Sequence, residues 1–316
     1  MSTVGVVVLT HNRAHDLAVT LARMCALAER PRLVVVDNGS RDDTAEMVRT
    51  RFPEVDLVRL LQNAGAAGRN AGVARLATTY VAFCDDDSWW APGSLAHAAS
   101  IFDAHPRLGL VCGRVLVGEQ ARMDAVSAAM ADSPLPPVPG LPGRPILGFL
   151  CAASMLRREA FIAAGGFQPR FFLGGEEELL AIDLAMQGWA LAYLPDVVVH
   201  HHPSPRRDAG RRRDLLLRNA LWAAWLRRHV VDAVRRSRAV LARTPSRRQR
   251  AAVLLAALVG LPWVLRERRV VSLYIEEALR QLDGPDYADR RRRRRGAVDS
   301  GVASGLASGS SNRLAR

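Results

Sequence analysis

The chain has 316 residues, 49% of them hydrophobic and 24% charged, with a formal net charge of +13. That composition excludes a chain disordered throughout, and glycine and proline without a fixed period exclude a collagen-like one. The charge is uneven: residues 1–203 carry 17 Arg against 21 acidic residues, 204–250 carry 15 against 3, and 290–316 carry 8 against 1.

Residues 4–9 form a short β-branched run that predicts a buried strand, ended by Thr10-His11-Asn12. The segment before it has no basic n-region, so no signal peptide is expected and the protein reads as cytoplasmic. Residues 16–27 have helical spacing, with Leu17, Leu21 and Met24 on one face. A second strand is expected at 33–36, ended by Asp37-Asn38-Gly39-Ser40, and a helix from Asp42 and Asp43 through Arg51. A third strand is expected at 55–60. A glycine-rich turn, Asn63 to Gly68, then opens a helix up to Leu76, and residues 80–84 predict a fourth strand, closed by Asp85-Asp86-Asp87. Strands alternating with helices imply βαβ units and a mainly parallel sheet, whose ligands bind at the strands' carboxyl ends.

Residues 131–145 hold six Pro and read as an irregular loop. A strand at 151–157, a short helix at 159–164, a helix at 176–187 capped by Gly188 and a strand at 190–200 follow. Residues 214–229 and 270–282 have helical patterns, and 251–265 is almost wholly apolar. From Arg290 six consecutive Arg lead into Gly, Ser and Ala, read as a disordered tail. The four cysteines, Cys25, Cys84, Cys112 and Cys151, lie far apart with no CxxC pair. That argues against a disulfide framework and for buried thiols in a reducing cytosol.

Three adjacent carboxylates repel, which is tolerable where they face a cation or water. Asp85 and Asp87, two apart on an extended segment, point the same way and can converge on one ligand. Hard oxygen ligands that leave positions open suit Mg²⁺ or Mn²⁺ bridging to a diphosphate. The other reading is a solvated acidic turn that caps the next helix. A dinucleotide-binding dehydrogenase is disfavoured, because Thr10-His11-Asn12-Arg13 stands where a GxGxxG would follow the first strand.

The ordered set of motifs resembles the family-2 nucleotide-sugar glycosyltransferases of bacterial type. It runs from Thr10-His11-Asn12-Arg13 through Asp37-Asn38-Gly39-Ser40, the turn Gln62 to Gly72 and Asp85-Asp86-Asp87. It continues through Gly165-Gly166-Phe167 and Gly174-Gly175-Glu176-Glu177-Glu178 to His200-His201. The resemblance covers about residues 3–202 and implies the GT-A fold, an α/β architecture with a mainly parallel central sheet flanked by helices. It implies a nucleotide-diphosphate sugar donor held by Thr10, Asn12, Arg13, Asp37, Gly65, Gly68, Arg69, Asn70, Asp85 and Asp86. A metal, Mg²⁺ or Mn²⁺, would rest on Asp85, Asp87 and His201. Glu176-Glu177 matches the family's Glu-Asp pair, which points to Glu177 as the base for an inverting transfer, with Glu176 as the neighbouring candidate. Leu179 and Asp183 depart from the acid and the Arg often found at those positions.

Alternatives stay open at several of these residues. Glu176 to Glu178 also read as an acidic first helical turn favoured by the macrodipole. His201 also reads as part of a surface turn, and Arg13 as a solvated side chain. Trp89 and Trp90 read equally as sugar-stacking or as packing groups. For the whole chain, a non-catalytic nucleotide-binding or scaffold protein that keeps the fold is the second function class.

The expected organisation is a transferase domain over 1–203, a basic and apolar helical extension over 204–289 and the tail over 290–316. The apolar run 251–265 is shorter than the about 20 residues of a spanning helix and is flanked by Arg. It reads as an interfacial segment on the inner face of a membrane, a core helix or a homodimer contact. Trp222 and Trp225 beside Arg227 and Arg228 also suit such an interface. No nucleic-acid partner is expected, since no recognition motif or aromatic stacking series accompanies the arginines. The expected acceptor is a glycan or a lipid-linked glycan of the cell envelope.

Overall fold

The structure is a computed structural model and describes residues 3–203 and 209–284. The first half alternates β1 (Val4–Thr10), α1 (Ala14–Cys25), β2 (Arg32–Asp37), α2 (Thr44–Arg51), β3 (Asp56–Arg59), α3 (Gly68–Arg75) and β4 (Tyr80–Asp85). Then come β5 (Ser88–Trp90), α4 (Ser94–Ala104), β6 (Leu108–Val117), β7 (Arg122–Met123), α5 (Ala125–Ala131) and β8 (Arg144–Pro145). They are followed by β9 (Ser154–Arg157), α6 (Arg158–Ala163), α7 (Glu176–Met186) and β10 (Ala190–His201). Five helices close the described chain: α8 (Ala209–Arg227), α9 (Val230–Ala242), α10 (Arg247–Val259), α11 (Leu261–Arg266) and α12 (Leu273–Asp283).

All the strands among the described residues join one ten-stranded sheet with the order β3-β2-β1-β4-β9-β6-β10-β5, β7 and β8 pairing at its side. Among the described ladders, β3, β2, β1 and β4 are parallel, as the alternation predicts, and so are β6 and β10. The sheet is mixed beyond β4, because β9 runs antiparallel between β4 and β6. Helices cover both faces, so β1, β2 and β4 are buried almost throughout. This explains why their sequences are continuous β-branched and apolar runs rather than alternating ones.

Register sets the site. Thr10 pairs with Asp37, and Leu9 pairs with Asp85, so the ends of β1, β2 and β4 finish at one level. The turn at Asp86 and Asp87 sends the chain back into β5, where Ser88 pairs with His201 of β10. The backbone N–H of His202 donates to Asp87 O at 2.8 Å. The late His run is thereby brought to the acidic turn.

The C-terminal helices dock on α7 and on the loop before it. Leu179 of α7 packs with Phe171, Trp222, Leu226 and Trp263 in one buried cluster. Arg227 donates to both oxygens of Asp183, at 2.5 and 3.0 Å. Leu179 and Asp183, the two departures from the family pattern, are therefore the docking contacts of the extension. This corrects one expectation: Trp222, Arg227 and Arg228 are buried and form no surface. Arg228 is paired internally with Glu276 and Asp283. The apolar run 251–265 is likewise two helices, broken at Gly260, where a Cβ would meet Trp222 Cζ2 at 2.5 Å. The arginine run from Arg290 lies outside the described residues.

Candidate active site

Asp37 is fully buried at the end of β2, where its Oδ1 accepts from Ser40 N at 2.8 Å. Its Oδ2 lies 3.3 Å from Arg59 Nε, close enough for charge attraction. Thr10, equally buried, accepts through its carbonyl from Asn38 N at 2.9 Å. Asn12, at φ +55, receives Arg41 N on its Oδ1 at 2.8 Å, and its own N–H donates to Ser40 Oγ at 2.9 Å. These bonds tie the ends of β1 and β2 into one rim.

Asn38, which the sequence reading did not single out, holds the glycine-rich turn to that rim. Its Oδ1 accepts from Ala64 N at 2.8 Å, and its Nδ2 donates to Gly65 O and Asn63 Oδ1, both at 3.0 Å. Gly65 adopts φ +63, and a Cβ there would lie 1.9 Å from Phe172 O, a contact only glycine permits. Gly68 is similarly pressed against Leu9 and Asn38. Asn70 exchanges two hydrogen bonds with the Phe167 backbone, at 2.8 and 2.9 Å. Its amide clamps the Gly165-Gly166-Phe167 turn rather than standing free toward a nucleotide.

Arg13 is not a solvated side chain. Its Nη1 lies 3.1 Å from Asp86 Oδ1 and 3.1 Å from Asp87 Oδ2. Burial pushes Asp86 up to about 7 against the pull of Arg13, and Asp87 and Asp85 add repulsion. Asp85 faces the other way, toward Arg69, whose Nη2 donates to its Oδ1 at 2.5 Å. Arg69 is itself buried. Burial opposes its charge, but Cys151, Asp85, Glu176 and Glu177 together outweigh burial and hold it above its ordinary value.

Strand alternation sorts the three histidines. His200 and His202 share one face, with ring centroids 5.8 and 4.7 Å from Trp89, and His201 points to the other. His201 Nε2 lies 3.3 Å from Asp87 Oδ1. Trp90 is a packing residue, fully buried and donating to Phe83 O. Of the three expected metal ligands, Asp87 and His201 are brought together, and Asp85 is ion-paired through Oδ1 with Arg69. Among the described residues no group of three or more His, Cys, Asp and Glu forms a metal shell. A carboxylate oxygen and an imidazole nitrogen still fit two positions of a Mg²⁺ or Mn²⁺ shell completed by substrate and water.

Glu176 and Glu177 open α7, after Gly174 and Gly175 at φ +88 and +87. Glu176 is buried and Glu177 partly so. Burial, then repulsion from Glu176, push Glu177 up to about 8 against the pull of Arg69. The loop that delivers this pair is fixed from outside the sheet. Asn219 of α8 is fully buried and donates to Phe171 O, Leu173 O and Gly174 O at 2.8, 3.2 and 2.5 Å. Nothing in the motif region marks Asn219, because its partners are backbone carbonyls.

Residues 5–163 match the family model described as Glycosyl transferase family 2. An N-acetylglucosaminyl-diphospho-decaprenol L-rhamnosyltransferase of Mycobacterium tuberculosis is 27% identical over 231 residues, covering 62% of this chain and 75% of that protein. Mannosyltransferase PcManGT from Pyrobaculum calidifontis, solved with GDP-Man and Mn²⁺, superposes with a TM-score of 0.52 at 21% identity, covering 88% of this chain and 85% of that one. S. aureus TarS 1–349 in complex with UDP gives 0.53 at 18% identity, covering 81% of this chain and 71% of that one. The alignment spans 42% of a longer TarS chain. The likeness to these structures shows the fold, which is the expected GT-A architecture with added C-terminal helices. By the match to its family model and by this fold, the chain belongs to glycosyl transferase family 2.

Proposed function

We propose that the protein moves a hexosyl or deoxyhexosyl group from a nucleotide-diphosphate sugar to a hydroxyl of a glycan or lipid-linked acceptor, with inversion. In this reading residues 1–203 are the transferase unit and 204–289 its extension, and the product belongs to cell-envelope or surface glycan. The observation that carries the proposal is the chain of contacts at the strand ends: Arg13 bridges Asp86 and Asp87, Asp87 meets His201, and Arg69 pairs with Asp85 and attracts Glu177, with Asp37 at the level of Thr10. The diphospho-decaprenol acceptor and rhamnosyl group in the M. tuberculosis relative's name support a lipid-linked acceptor and a deoxyhexose.

Asp37 and the turn Gly65 to Gly68 take the nucleoside side, with Thr10, Asn12 and Arg13 on the rim. Asp87 and His201 would hold the divalent ion, which when bound offsets the charge developing on the leaving diphosphate. Glu177 accepts the acceptor hydroxyl's proton as that oxygen bonds to the anomeric carbon. The bond from that carbon to the diphosphate breaks, and the diphosphate leaves with the electron pair. Arg69 keeps the Glu177 side of the cleft from accumulating unopposed negative charge.

A melting-temperature screen of nucleoside diphosphates and their sugars, with and without Mn²⁺, tests the donor site. A ligand at 100 times its Kd stabilises by about 2.7 kcal/mol, so at least one nucleotide should raise Tm clearly with Mn²⁺. Asp87→Asn should keep the ligand-free Tm within a few degrees and lose the Mn²⁺-dependent part of the shift. No shift with any nucleotide would contradict the proposal.

The same reading puts the protein on a membrane surface. Leu254, Leu255, Leu258 and Val259 of α10 are 40–78% exposed, and Leu265 is 57% exposed. Exposed Arg247, Arg248, Arg266 and Arg269 flank them. No helix among the described residues is long and apolar enough to cross a membrane. An apolar face rimmed by Arg suits the headgroup boundary of an anionic bilayer, at about 1 kcal/mol per Arg near the surface. Flotation should show binding to anionic vesicles, little to neutral ones, and release in high salt. Leu255→Ser with Leu258→Ser should abolish binding at unchanged Tm. Full-length protein that ignores anionic vesicles at low salt would favour a homodimer contact on this face instead.

A further inference from the structure

A cavity of about 370 Å³ lies between β6, β8 and β10. That volume is in the range of small-molecule sites. Arg114, Arg144 and Tyr193 line it, with Met123 and Pro195 as apolar walls. Tyr193 is 1% exposed. Its hydroxyl and the Nε of Arg114 are buried with no hydrogen-bond partner. Among the described residues neither Arg114 nor Arg144 is within ion-pair distance of a carboxylate. The nearby acid is Asp124, whose Oδ1 caps α5 by accepting from Val126 N and Ser127 N at 2.7 and 3.1 Å. The cavity therefore presents guanidinium groups and a hydroxyl without a carboxylate paired to them.

The backbone is shaped around this arrangement. Tyr193 pairs with Cys112 on β6 and with Arg144 on β8. Gly143 adopts φ +68, where a Cβ would lie 2.3 Å from Tyr193 O, so β8 approaches as close as backbone allows. The β10 register then skips from Leu194 to Val198 opposite Gly113 and Arg114, which opens the sheet beside the Arg114 side chain. Cys112, the neighbour of Tyr193, interacts electrostatically with both Asp124 and Glu177.

A buried donor without a partner is unfavourable in the ligand-free protein, and charge-assisted hydrogen bonds to guanidinium groups are the strong ones. Planar guanidinium forks match phosphate oxygens. We propose that Arg114, Arg144 and Tyr193 form a binding site for a phosphoryl group, supplied by the acceptor. The assignment to the acceptor rests on the sugar-transfer reading above; the phosphoryl site itself does not.

Calorimetric titration with inorganic pyrophosphate in EDTA tests the site without the metal-dependent donor cleft. Wild type should bind, and Arg114→Met and Tyr193→Phe should each weaken binding about tenfold, the loss expected for one hydrogen bond to a charged group. Tyr193→Phe should at the same time raise the ligand-free Tm, because it removes a buried hydroxyl without a partner. Both variants should keep wild-type nucleoside diphosphate binding with Mn²⁺, so failure here is separable from failure of the donor site. With a phosphorylated acceptor, KM should rise about tenfold in both variants at near-constant kcat. An acceptor lacking phosphate should be unaffected. Pyrophosphate binding that weakens as predicted with an unchanged acceptor KM would keep the phosphoryl site and overturn its assignment to the acceptor. No binding to wild type, or equal binding by all three proteins, would overturn the site.

Discussion

Glu177→Gln is expected to lower kcat by about 10²–10⁴-fold while donor affinity stays near wild type, the loss typical of a removed general base. Gln keeps the shape of the side chain at the start of α7 and removes only its ability to take a proton. The environment suits the role, because burial and Glu176 push Glu177 up to about 8, where a base is strong yet deprotonates within the working range. The same shift fixes the sign of a stability effect. Glu177 stays protonated in the folded protein above the pH at which an unfolded carboxyl ionises. Its stabilising share is complete below about 4.5 and is lost as pH rises through about 8. Gln mimics the protonated form and loses nothing, so the Tm of the variant relative to wild type should climb between pH 5 and pH 9. A flat difference would contradict the raised pKa. If Glu176→Gln is inactive and Glu177→Gln active, the base is one residue earlier.

Arg227→Ala should destabilise the protein by about 3–5 kcal/mol, the range for removing one partner of a buried ion pair. The remaining carboxylate, Asp183, sits in the middle of α7 and is 8% exposed. No other Arg contacts it within ion-pair distance among the described residues. Arg227 also donates to Leu226 O and Glu267 O, both at 3.1 Å, so its loss loosens the junction of α8 with the segment after α11. Urea unfolding reads the effect directly. Replacing both partners, Arg227→Met with Asp183→Leu, should recover most of it. Because α7 also carries Glu177, the single variant should lose turnover at temperatures well below its Tm. A change under 1 kcal/mol would mean that the pair is solvated and that the extension does not brace α7.

The strands that frame the donor cleft were legible because each is a short, buried, β-branched run with a polar stop. The stops carry Thr10, Asp37 and Asp85. What the sequence hid follows from contacts between distant residues. β6 contains Gly109 and Gly113, which break its apolar run on paper. In the fold they admit the Trp189 side chain and the Val197 backbone, whose atoms a Cβ would approach to 2.7 and 2.6 Å. β5 has only three residues and is defined by pairing with His201. The segment 151–157 read as one strand, but its first three residues form a 3₁₀ turn before β9. Trp222, Arg227 and Arg228 read as an interface because helical spacing gives a face without saying what covers it. Their partners, Asp183, Glu276 and Asp283, lie in other elements. Asp85 read as a metal ligand because alternation aligns it with Asp87; the ion pair it makes with Arg69, from the preceding helix, is a contact that spacing does not show.

On the proposed function, this site transfers a sugar rather than only binding a nucleotide. Release of nucleoside diphosphate from the donor that most raises Tm, followed by chromatography with Mn²⁺ present, tests it most directly. Wild type should form product in excess over enzyme, and Asp87→Asn and Glu177→Gln should release it far more slowly. A donor that binds wild type tightly yet yields no nucleoside diphosphate, with or without a polyprenyl-diphosphate-linked acceptor, would contradict it and leave a nucleotide-binding scaffold.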